Sequence, residues 1–227
     1  MYRPVQPVGQ SVDATPAKRP GPVTLYGRFG RVERLAQAHA EMLWEALKGR
    51  DEIWTYMSQH GPFADAELFS TWVGIRIGLE DPYAYAIVDH DGRALGIIAL
   101  MEIRPALRVI EVGHVVYAPA LQRTGLATEA QYLLAKYAFE TLGYRRYEWK
   151  CDSLNTPSRR AALRFGFTFE GILRQHMIAK GRNRDTAYFA MLDSEWPARK
   201  LAFDRWLAPD NFDKAGRQMR RLEEFRT

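Results

Sequence analysis

The first part of the chain combines an irregular segment with a stretch whose apolar residues recur at helical spacing. Residues 1–22 contain five prolines and no periodic apolar pattern, so we expect a flexible arm outside the folded domain. A short strand over 23–29 is predicted to lead into an amphipathic helix over 31–49, which Gly49 is expected to end.

A second amphipathic helix is predicted over 65–79. Asp65 is its expected N-cap, since a carboxylate there can accept a hydrogen bond from a free N–H group of the first turn. The apolar stripe that we expect to face the core consists of Leu68, Trp72, Ile75 and Leu79.

From residue 83 onward, the apolar positions follow the period of strands. Strands are predicted over 83–89, 93–103 and 109–118, and the Asp91-Gly92 pair between the first two fits a type I′ hairpin turn. These three segments predict an antiparallel meander.

The second half of the chain predicts two helices, a strand and a closing hairpin. A helix of about five turns is expected over 125–142, followed by a strand over 145–153 and a short helix that begins near Pro157. The hairpin is expected around Gly181. A last amphipathic helix is marked by Leu201, Trp206 and Leu207.

This order of elements predicts an α/β (α+β) fold in which helices flank a mixed, mostly antiparallel central sheet. We expect the arm over 1–22, a folded domain over 23–193, and a C-terminal helix with a tail over 194–227. The C-terminal helix is expected to pack on the domain or on a second copy in a homodimer.

Composition limits the class of protein without identifying a site. The chain has 227 residues, 47% hydrophobic and 26% charged, so it can bury a substantial core. It has no apolar run of membrane-spanning length and no signal peptide, so we expect a cytoplasmic protein without a membrane partner. Its single cysteine, Cys151, excludes an intramolecular disulfide and a cysteine-built zinc site, and we expect no metal.

The net charge of +5 is concentrated in one segment. Residues 142–186 hold ten basic and four acidic residues, a net charge of +6, whereas the rest of the chain sums to −1. This distribution favours a localised anionic partner over general binding to nucleic acid. Nucleic-acid binding through the segment remains an alternative, and it would weaken steeply with salt.

The junction between the strand over 109–118 and the following helix is the strongest candidate for binding an anion. The first N–H groups of a helix lack partners within it, and the small residues Gly125 and Ala127 would let a diphosphate approach the backbone. Thr128 would add a hydroxyl donor. The loop lacks the lysine of a nucleotide P-loop and the further glycines of a dinucleotide fold, so ATP and NAD are disfavoured.

The same loop resembles that of a known family. Gln122-x-x-Gly125-x-Ala127 is similar to the acyl-CoA loop of the GNAT superfamily of N-acetyltransferases, and Asn155-x-x-Ser158 resembles that superfamily's next motif. The resemblance implies a GNAT-like sheet and an acyl-CoA N-acyltransferase domain over the folded part of the chain. It also implies acetyl-CoA as the acyl donor and an amine as the acceptor.

Further details are similar to one branch of the superfamily, which acetylates the N-terminal alanine or serine of ribosomal proteins. Glu111-x-Gly113 precedes the loop, and a Gly-Phe pair at 166–167 completes the second motif. Many relatives use a tyrosine four residues before that pair to protonate the departing thiolate, but the position is Ala162 here. Ser158 matches the serine of the ribosomal-protein branch, so the resemblance implies Ser158 as the acid.

The resemblance also implies which residues bind the CoA ester. Gln122 would fix the loop, Asn155 would hydrogen-bond the pantetheine arm, and Val115, Val116 and Tyr117 would pair their main chain with that arm. The backbone N–H groups that would hold the diphosphate belong to Arg123, Thr124, Gly125, Leu126, Ala127 and Thr128.

Direct acyl transfer needs a group that stabilises the oxyanion and a base that removes the amine proton. The N–H of Val115 or Val116 is the candidate oxyanion donor. His114 is the candidate base, because its ordinary pKa near 6.5 suits proton removal. The competing bases are Glu102, Glu111 and His176. An acyl-enzyme on Cys151 is disfavoured, because no histidine in its segment is placed to activate the thiol.

The sequence thus predicts transfer of an acetyl group from acetyl-CoA to a primary amine, on a protein N-terminus or on a small molecule. Three alternatives stay open: another donor such as succinyl-CoA, inactivation of an amine-bearing antibiotic or aminoacylated toxin, and a catalytically silent CoA-binding module. Candidates for lining the acceptor cleft are Trp54, Trp72 and Trp149.

Overall fold

The computed structural model describes residues 6–226 of the chain. These residues fold around one sheet of eight strands. The strands are β1 (Thr24–Tyr26), β2 (Gly30–Arg34), β3 (Tyr83–Asp89), β4 (Ala94–Arg104), β5 (Val109–Tyr117), β6 (Arg146–Asp152), β7 (Thr168–Ala179) and β8 (Arg182–Leu192). The α-helices are α1 (Ala40–Leu47), α2 (Ala66–Ile77), α3 (Gly125–Lys136), α4 (Thr156–Phe165) and α5 (Trp196–Leu207).

The strand order across the sheet is β1-β2-β3-β4-β5-β6-β8-β7. Within this described sheet, β5 and β6 are parallel and the other neighbours are antiparallel, because α3 crosses over from the end of β5 to the start of β6. The helices α1 and α2 pack on one face, and α3, α4 and α5 pack on the other. The predicted fold class is confirmed.

The first predicted helix is wrong in its first half. Residues 30–34 form β2, in which Val32 pairs with Ile87 of β3, and α1 begins only at Ala40. Val32 and Leu35 are both buried, a spacing that fits a helix as well as a strand end. Pairing with a distant strand decides between the two, and local periodicity does not contain that information.

The helix α2 begins where the sequence predicts, but it turns a different face to the core. Asp65 Oδ1 accepts a hydrogen bond from the Leu68 N–H at 2.8 Å, which confirms the N-cap. The predicted stripe is wrong at Leu68 and Ile75, which are 53% and 61% exposed. The residues buried on this helix are Phe69, Trp72, Val73 and Arg76. An arginine therefore lies on the buried face of α2.

The predicted meander is confirmed, with β3 paired to β4 and β4 to β5, but its first turn is not of type I′. A type I′ turn needs positive φ at both central residues, and of the Asp91-Gly92 pair only Gly92 has it, at +79°. The Asp89 carboxylate accepts hydrogen bonds from the N–H groups of Asp91 and Arg93, at 3.0 and 2.9 Å. These bonds favour a longer loop.

The elements of the second half lie where the sequence predicts them. The helix α3 continues through one π-helical turn, Tyr137–Thr141, and Gly181 lies in the turn between β7 and β8. In α5, Trp196 and Phe203 pack against Tyr132 of α3. The C-terminal helix therefore packs on the domain.

Contacts with the domain extend beyond the boundaries that the sequence suggests at both ends. In the expected arm, residues 6–22 form no strand or helix, yet Ala17 is buried and its N–H donates to the Pro105 carbonyl at 3.1 Å. In the tail, Arg226 Nη1 donates to the Leu163 carbonyl at 2.9 Å. Within residues 6–226, no helix is both long and apolar enough to cross a membrane.

Candidate active site

The strands β5 and β6 pair over only part of their length, which opens a cleft in the sheet. The parallel ladder joins Val109–Val112 to Arg146–Trp149, and the two strands separate beyond these residues. On its other edge β5 bulges against β4 near His114, which has φ +47°. The cleft has a volume of about 480 Å³. Main-chain groups of β5 beyond the ladder face this space instead of a strand.

The side chains lining the cleft include those that the sequence marks for proton transfer. They are Glu102, Glu111, His114, Ser158 and His176. The lining also includes Val115, Trp149, Cys151 and Asn155. The structure thus brings residues of four strands and one helix to a single surface.

The first turn of α3 presents unpaired backbone donors. Thr124 is the N-cap, and its Oγ1 accepts a hydrogen bond from the Ala127 N–H at 3.1 Å. For the N–H groups of Arg123, Gly125 and Leu126, no acceptor is present among the described residues. Arg123 has φ +62°, a left-handed conformation that turns the chain into the helix. A helix N-terminus with free N–H groups fits the diphosphate of a CoA ester.

The side chains of this turn are engaged within the protein. Gln122 Nε2 donates to the Tyr117 carbonyl at 3.0 Å, so it ties the loop to the end of β5. The Thr128 hydroxyl, which the sequence suggests as a ligand donor, instead accepts a hydrogen bond from Arg164 Nη1 at 3.0 Å. Leu126, Ala127 and Thr128 are buried. What this turn offers to a ligand is therefore its main chain.

The position of Gly125 requires glycine for a structural reason that the sequence does not reveal. A Cβ atom at this position would lie 2.8 Å from the ring of Phe29, which packs against the start of α3. Phe29 is held there by the buried Glu129, whose carboxylate accepts hydrogen bonds from the N–H groups of Arg28 and Phe29 at 2.6 and 2.7 Å. The glycine thus accommodates an aromatic side chain of the β1–β2 turn.

Asn155 and Ser158 are joined at the start of α4. Asn155 is the N-cap, and its Oδ1 accepts a hydrogen bond from the Ser158 N–H at 3.1 Å. Ser158 Oγ accepts a hydrogen bond from Trp149 Nε1 at 3.0 Å. Asn155 thus caps α4 through its Oδ1, and its hydrogen bond to the pantetheine arm stays a prediction. The Ser158 hydroxyl can still donate its proton, and the Cys151 thiol is one neighbour that can receive it.

Glu111 combines burial with access to the cleft. Its residue is 5% exposed, and its Oε2 lies 2.8 Å from Lys150 Nζ. Burial raises the pKa of Glu111 to about 7, although the Lys150 ammonium opposes the rise. A carboxyl group with a pKa near neutrality can both accept and release a proton under ordinary conditions.

His114 has a different environment from the one that a base requires. Arg76 of α2 lies beside it, with Nη1 3.2 Å from His114 Nδ1, and the same guanidinium contacts His60 Nε2. Burial, together with Arg76, lowers the pKa of both histidines to about 4. Sequence reasoning missed Arg76 and His60. The available signal was the position of Arg76 on a helix face shared with Phe69, Trp72 and Val73.

The other candidates divide between the cleft and the core. Burial raises the pKa of the Cys151 thiol, which disfavours its thiolate. His176 Nδ1 lies 2.9 Å from Thr186 Oγ1. Trp149 lines the cleft, whereas Trp54 and Trp72 pack edge to face in the aromatic core under α1 and α2, the usual position of large aromatic residues.

Two of the ten basic residues in the basic segment form ion pairs within the described part of the fold. Arg146 forms ion pairs with Glu148 at 2.7 Å and with Glu170. Lys150 pairs with Glu111 and contacts Glu148. These pairs involve only two of the ten basic residues, so nucleic-acid binding through the segment stays an alternative.

Comparisons with known proteins agree with this geometry. A family model described as an acetyltransferase (GNAT) domain matches residues 31–168. The crystal structure of a GCN5-related N-acetyltransferase from Brucella melitensis superposes with a TM-score of 0.91 at 47% identity, covering 94% of this chain and 98% of that chain. A GNAT-family structure from Chromobacterium violaceum has a TM-score of 0.79 at 41% identity, covering 86% of this chain and 100% of that chain.

Among curated proteins, the relative named "Putative ribosomal N-acetyltransferase YdaF" from Bacillus subtilis is 32% identical over 111 residues. The alignment covers 49% of this chain and 60% of that relative, less than two thirds of its length.

Proposed function

The chain belongs to the GNAT acetyltransferase family, and we propose that it moves an acetyl group from acetyl-CoA to a primary amine by direct attack. The observation that carries the proposal is the conjunction of two features at the end of β5. One is the first turn of α3 with its unpaired N–H groups, and the other is the cleft between β5 and β6. The first suits the diphosphate of the donor, and the second suits its acyl end.

The donor is held mainly by main-chain groups in this proposal. The N–H groups of Arg123, Gly125 and Leu126 bind the diphosphate, and Gln122 keeps the loop against β5. The free edge of β5 over 115–117 pairs with the pantetheine arm. Bound acetyl-CoA would supply the thioester that the amine attacks.

Glu111 is the base that this geometry favours over His114. Its pKa of about 7 allows a populated carboxylate at neutral pH that still attracts a proton, and Lys150 stabilises the charged form. His114, with a pKa of about 4 and its Nδ1 beside a guanidinium, has little affinity for a proton at neutral pH. The earlier choice of His114 stays a prediction that a pH profile can test.

The remaining steps need an oxyanion donor and a proton for the leaving thiolate. Val115 follows the bulge at His114 and lies beyond the residues of β5 that pair with β6, so its N–H is the proposed oxyanion donor. Ser158 is the proposed proton donor, because its oxygen accepts the hydrogen bond from Trp149 and its hydroxyl proton points to another acceptor, which is the Cys151 thiol when no ligand is bound. Serine is a weak acid, so we expect a modest contribution from it.

For the acceptor, the name of the Bacillus subtilis relative suggests a ribosomal substrate, and the resemblance of the motifs implies the N-terminus of a ribosomal protein. A small amine, including one on an antibiotic or an aminoacylated toxin, is the other candidate class.

The homodimer also stays a prediction. The strand β7 lies at the edge of the sheet and exposes Ile172, Leu173 and Ile178, and light scattering would test whether two copies associate.

Two measurements on the purified protein test the proposal. Titration calorimetry with acetyl-CoA should show binding, and a thiol-specific dye should show release of CoA when a suitable primary amine is added. Binding without release across peptides and small amines would support the silent CoA-binding module instead. Absence of binding to acetyl-CoA and to succinyl-CoA would overturn the proposal.

A further inference from the structure

Arg76 is a buried cation without a counter-ion. The residue is 6% exposed, and its guanidinium forms no ion pair with a carboxylate anywhere in residues 6–226. Its Nε also has no hydrogen-bond partner in that part of the chain. An uncompensated buried charge is costly, so a role other than stability is expected for it.

The contacts of Arg76 determine where two histidines carry their hydrogens. A guanidinium group donates hydrogen bonds and accepts none. Its neighbours, His114 Nδ1 and His60 Nε2, must therefore be acceptors. It follows that neutral His114 carries its hydrogen on Nε2 and neutral His60 carries it on Nδ1.

These two N–H groups are free donors at the cleft. Neither has an acceptor among the residues that the structure describes, and both rings line the cleft, with centroids 5.8 Å apart. The charged groups that act on them are Arg76, from α2, and Lys180, from the turn between β7 and β8. Lys180 Nζ is fixed by the Trp54 and Gly61 carbonyls at 2.8 and 2.7 Å.

We propose that Arg76 is a positioning residue that keeps His60 and His114 as neutral donors, and that their free N–H groups bind a carbonyl or carboxylate oxygen next to the acceptor amine. This inference rests on the proposed function, because it concerns the acceptor of that reaction. The adjacent positive charge of Arg76 strengthens donors that meet an oxygen, and it repels an acceptor whose other groups are ammonium ions. An amino acid or a peptide N-terminus fits this wall, whereas a polyamine does not.

The first arm of the test needs no substrate. Nitrogen-15 spectra of the imidazole rings in the free protein should show His114 protonated at Nε2 and His60 protonated at Nδ1, and both neutral down to about pH 5. In Arg76→Met, which removes the charge and keeps an apolar side chain, the pKa of both rings should rise above about 4 but stay below 6.5, because burial, the larger cause of the lowered pKa, remains. The opposite tautomers, or unchanged pKa values in the variant, would overturn the proposal.

A matched control is available in β2, whose last residue contacts the same C-terminal end of α2. Arg34 donates to the Ile77 and Ala84 carbonyls and contacts no histidine. Arg34→Met should therefore leave the spectra of His60 and His114 unchanged. If Arg76→Met does not fold, the tautomers in the unmodified protein still decide the first arm.

The second arm uses three acceptors that share one carbon skeleton: L-alanine, L-alaninamide and isopropylamine. The oxygen-bearing amines should have the higher kcat/KM, and Arg76→Met should reduce their advantage over isopropylamine by about tenfold or more. Comparing the two enzymes cancels differences in amine basicity.

A preference for alanine would identify a carboxylate on the acceptor, and a preference for alaninamide would identify a peptide carbonyl. Equal use of isopropylamine would overturn the inference. CoA release with none of the three would count against the proposed function, and the histidine spectra would still test Arg76.

Discussion

The proposed donor end, at the start of α3, and the proposed acceptor end, at the wall of the cleft, are built in different ways. The donor end consists of one contiguous segment from Tyr117 to Thr128, and it offers main-chain N–H groups at the start of α3. The wall at the acceptor end consists of side chains from distant parts of the chain, such as Arg76 with His114 and Glu111 with Lys150. A site made of backbone depends on the local fold, whereas a site made of side chains depends on individual residues. We therefore expect the largest functional effects of substitution at the acceptor end.

Glu111→Gln should have the largest effect, because it removes the proposed base and keeps the size of the side chain. We expect kcat/KM to fall about 10²- to 10⁴-fold, the usual contribution of a positioned base. In the unmodified protein, protonation of Glu111 should make kcat/KM fall as the pH drops below about 7, and this limb should be absent from the residual activity of the variant. The rate of CoA release between pH 5 and 9 measures both effects.

The control for this experiment is Glu148→Gln. Glu148 is a buried carboxylate that also contacts Lys150, at 3.2 Å, but it does not line the cleft. Its variant should lose stability and keep the acid limb, shifted slightly to lower pH because the Glu148 charge contributes to the raised pKa of Glu111. A limb near pH 4 in the unmodified enzyme would assign the base to His114 instead.

Gly125→Ala should have the next largest effect, and it acts on stability. The added methyl group would meet the ring of Phe29, so the free energy of unfolding should fall by about 1–3 kcal/mol. Phe29→Leu in the same chain should relieve the clash and restore part of the loss. Chemical denaturation measures both steps. Full stability in the single variant would mean that close approach to a ligand, and not Phe29, accounts for the glycine.

Ser158→Ala should lower kcat by roughly tenfold and leave the KM for acetyl-CoA nearly unchanged, since serine is a weaker acid than the groups that give larger contributions. Trp149→Phe tests the same hydroxyl without changing Ser158 itself, because it keeps an aromatic ring and removes the hydrogen bond to Ser158 Oγ. An unaltered rate in Ser158→Ala would exclude the hydroxyl from the reaction.

Sequence reasoning located the free N–H groups at the start of α3 and missed the side-chain contacts of the cleft wall, for a physical reason. The motif from Gln122 to Ala127 is contiguous, and helix caps and free N–H groups follow local rules. The contact between Arg76 and His114 depends on which face of α2 is buried. The sequence pattern favoured Leu68 and Ile75 on that face. In the folded protein, packing against the sheet buries the neighbouring positions of the helix instead.

The pKa values could not be predicted for the same reason. Glu111 and His114 are three residues apart on one strand, yet their pKa values move in opposite directions from their ordinary values, to about 7 and about 4. Burial favours the neutral form of both groups, and the neighbouring cations arrive from other elements of the fold. The strand β2 was predicted as part of a helix for a similar reason, because its pairing with β3 is a long-range contact.

The smallest effect is expected at the donor end, for Arg123→Gly. Relief of the left-handed backbone is worth about 1–2 kcal/mol, and the freedom of glycine in the unfolded chain offsets about 0.5–1 kcal/mol, so a gain in stability of about 0.5 kcal/mol remains. Affinity for acetyl-CoA should change at most about fivefold, as for loss of an exposed charge. Arg123→Ala is the control, since it removes the same side chain and keeps the strained backbone. A much larger loss of affinity in both variants would show that the donor end uses side chains after all.

The central claim concerns where the donor lies, and a crystal structure with bound acetyl-CoA tests it most directly. We expect diphosphate oxygens within hydrogen-bond distance of the Gly125 and Leu126 N–H groups, and the thioester carbonyl in the gap between β5 and β6. A diphosphate bound away from the start of α3, or an acyl group outside that gap, would contradict the account.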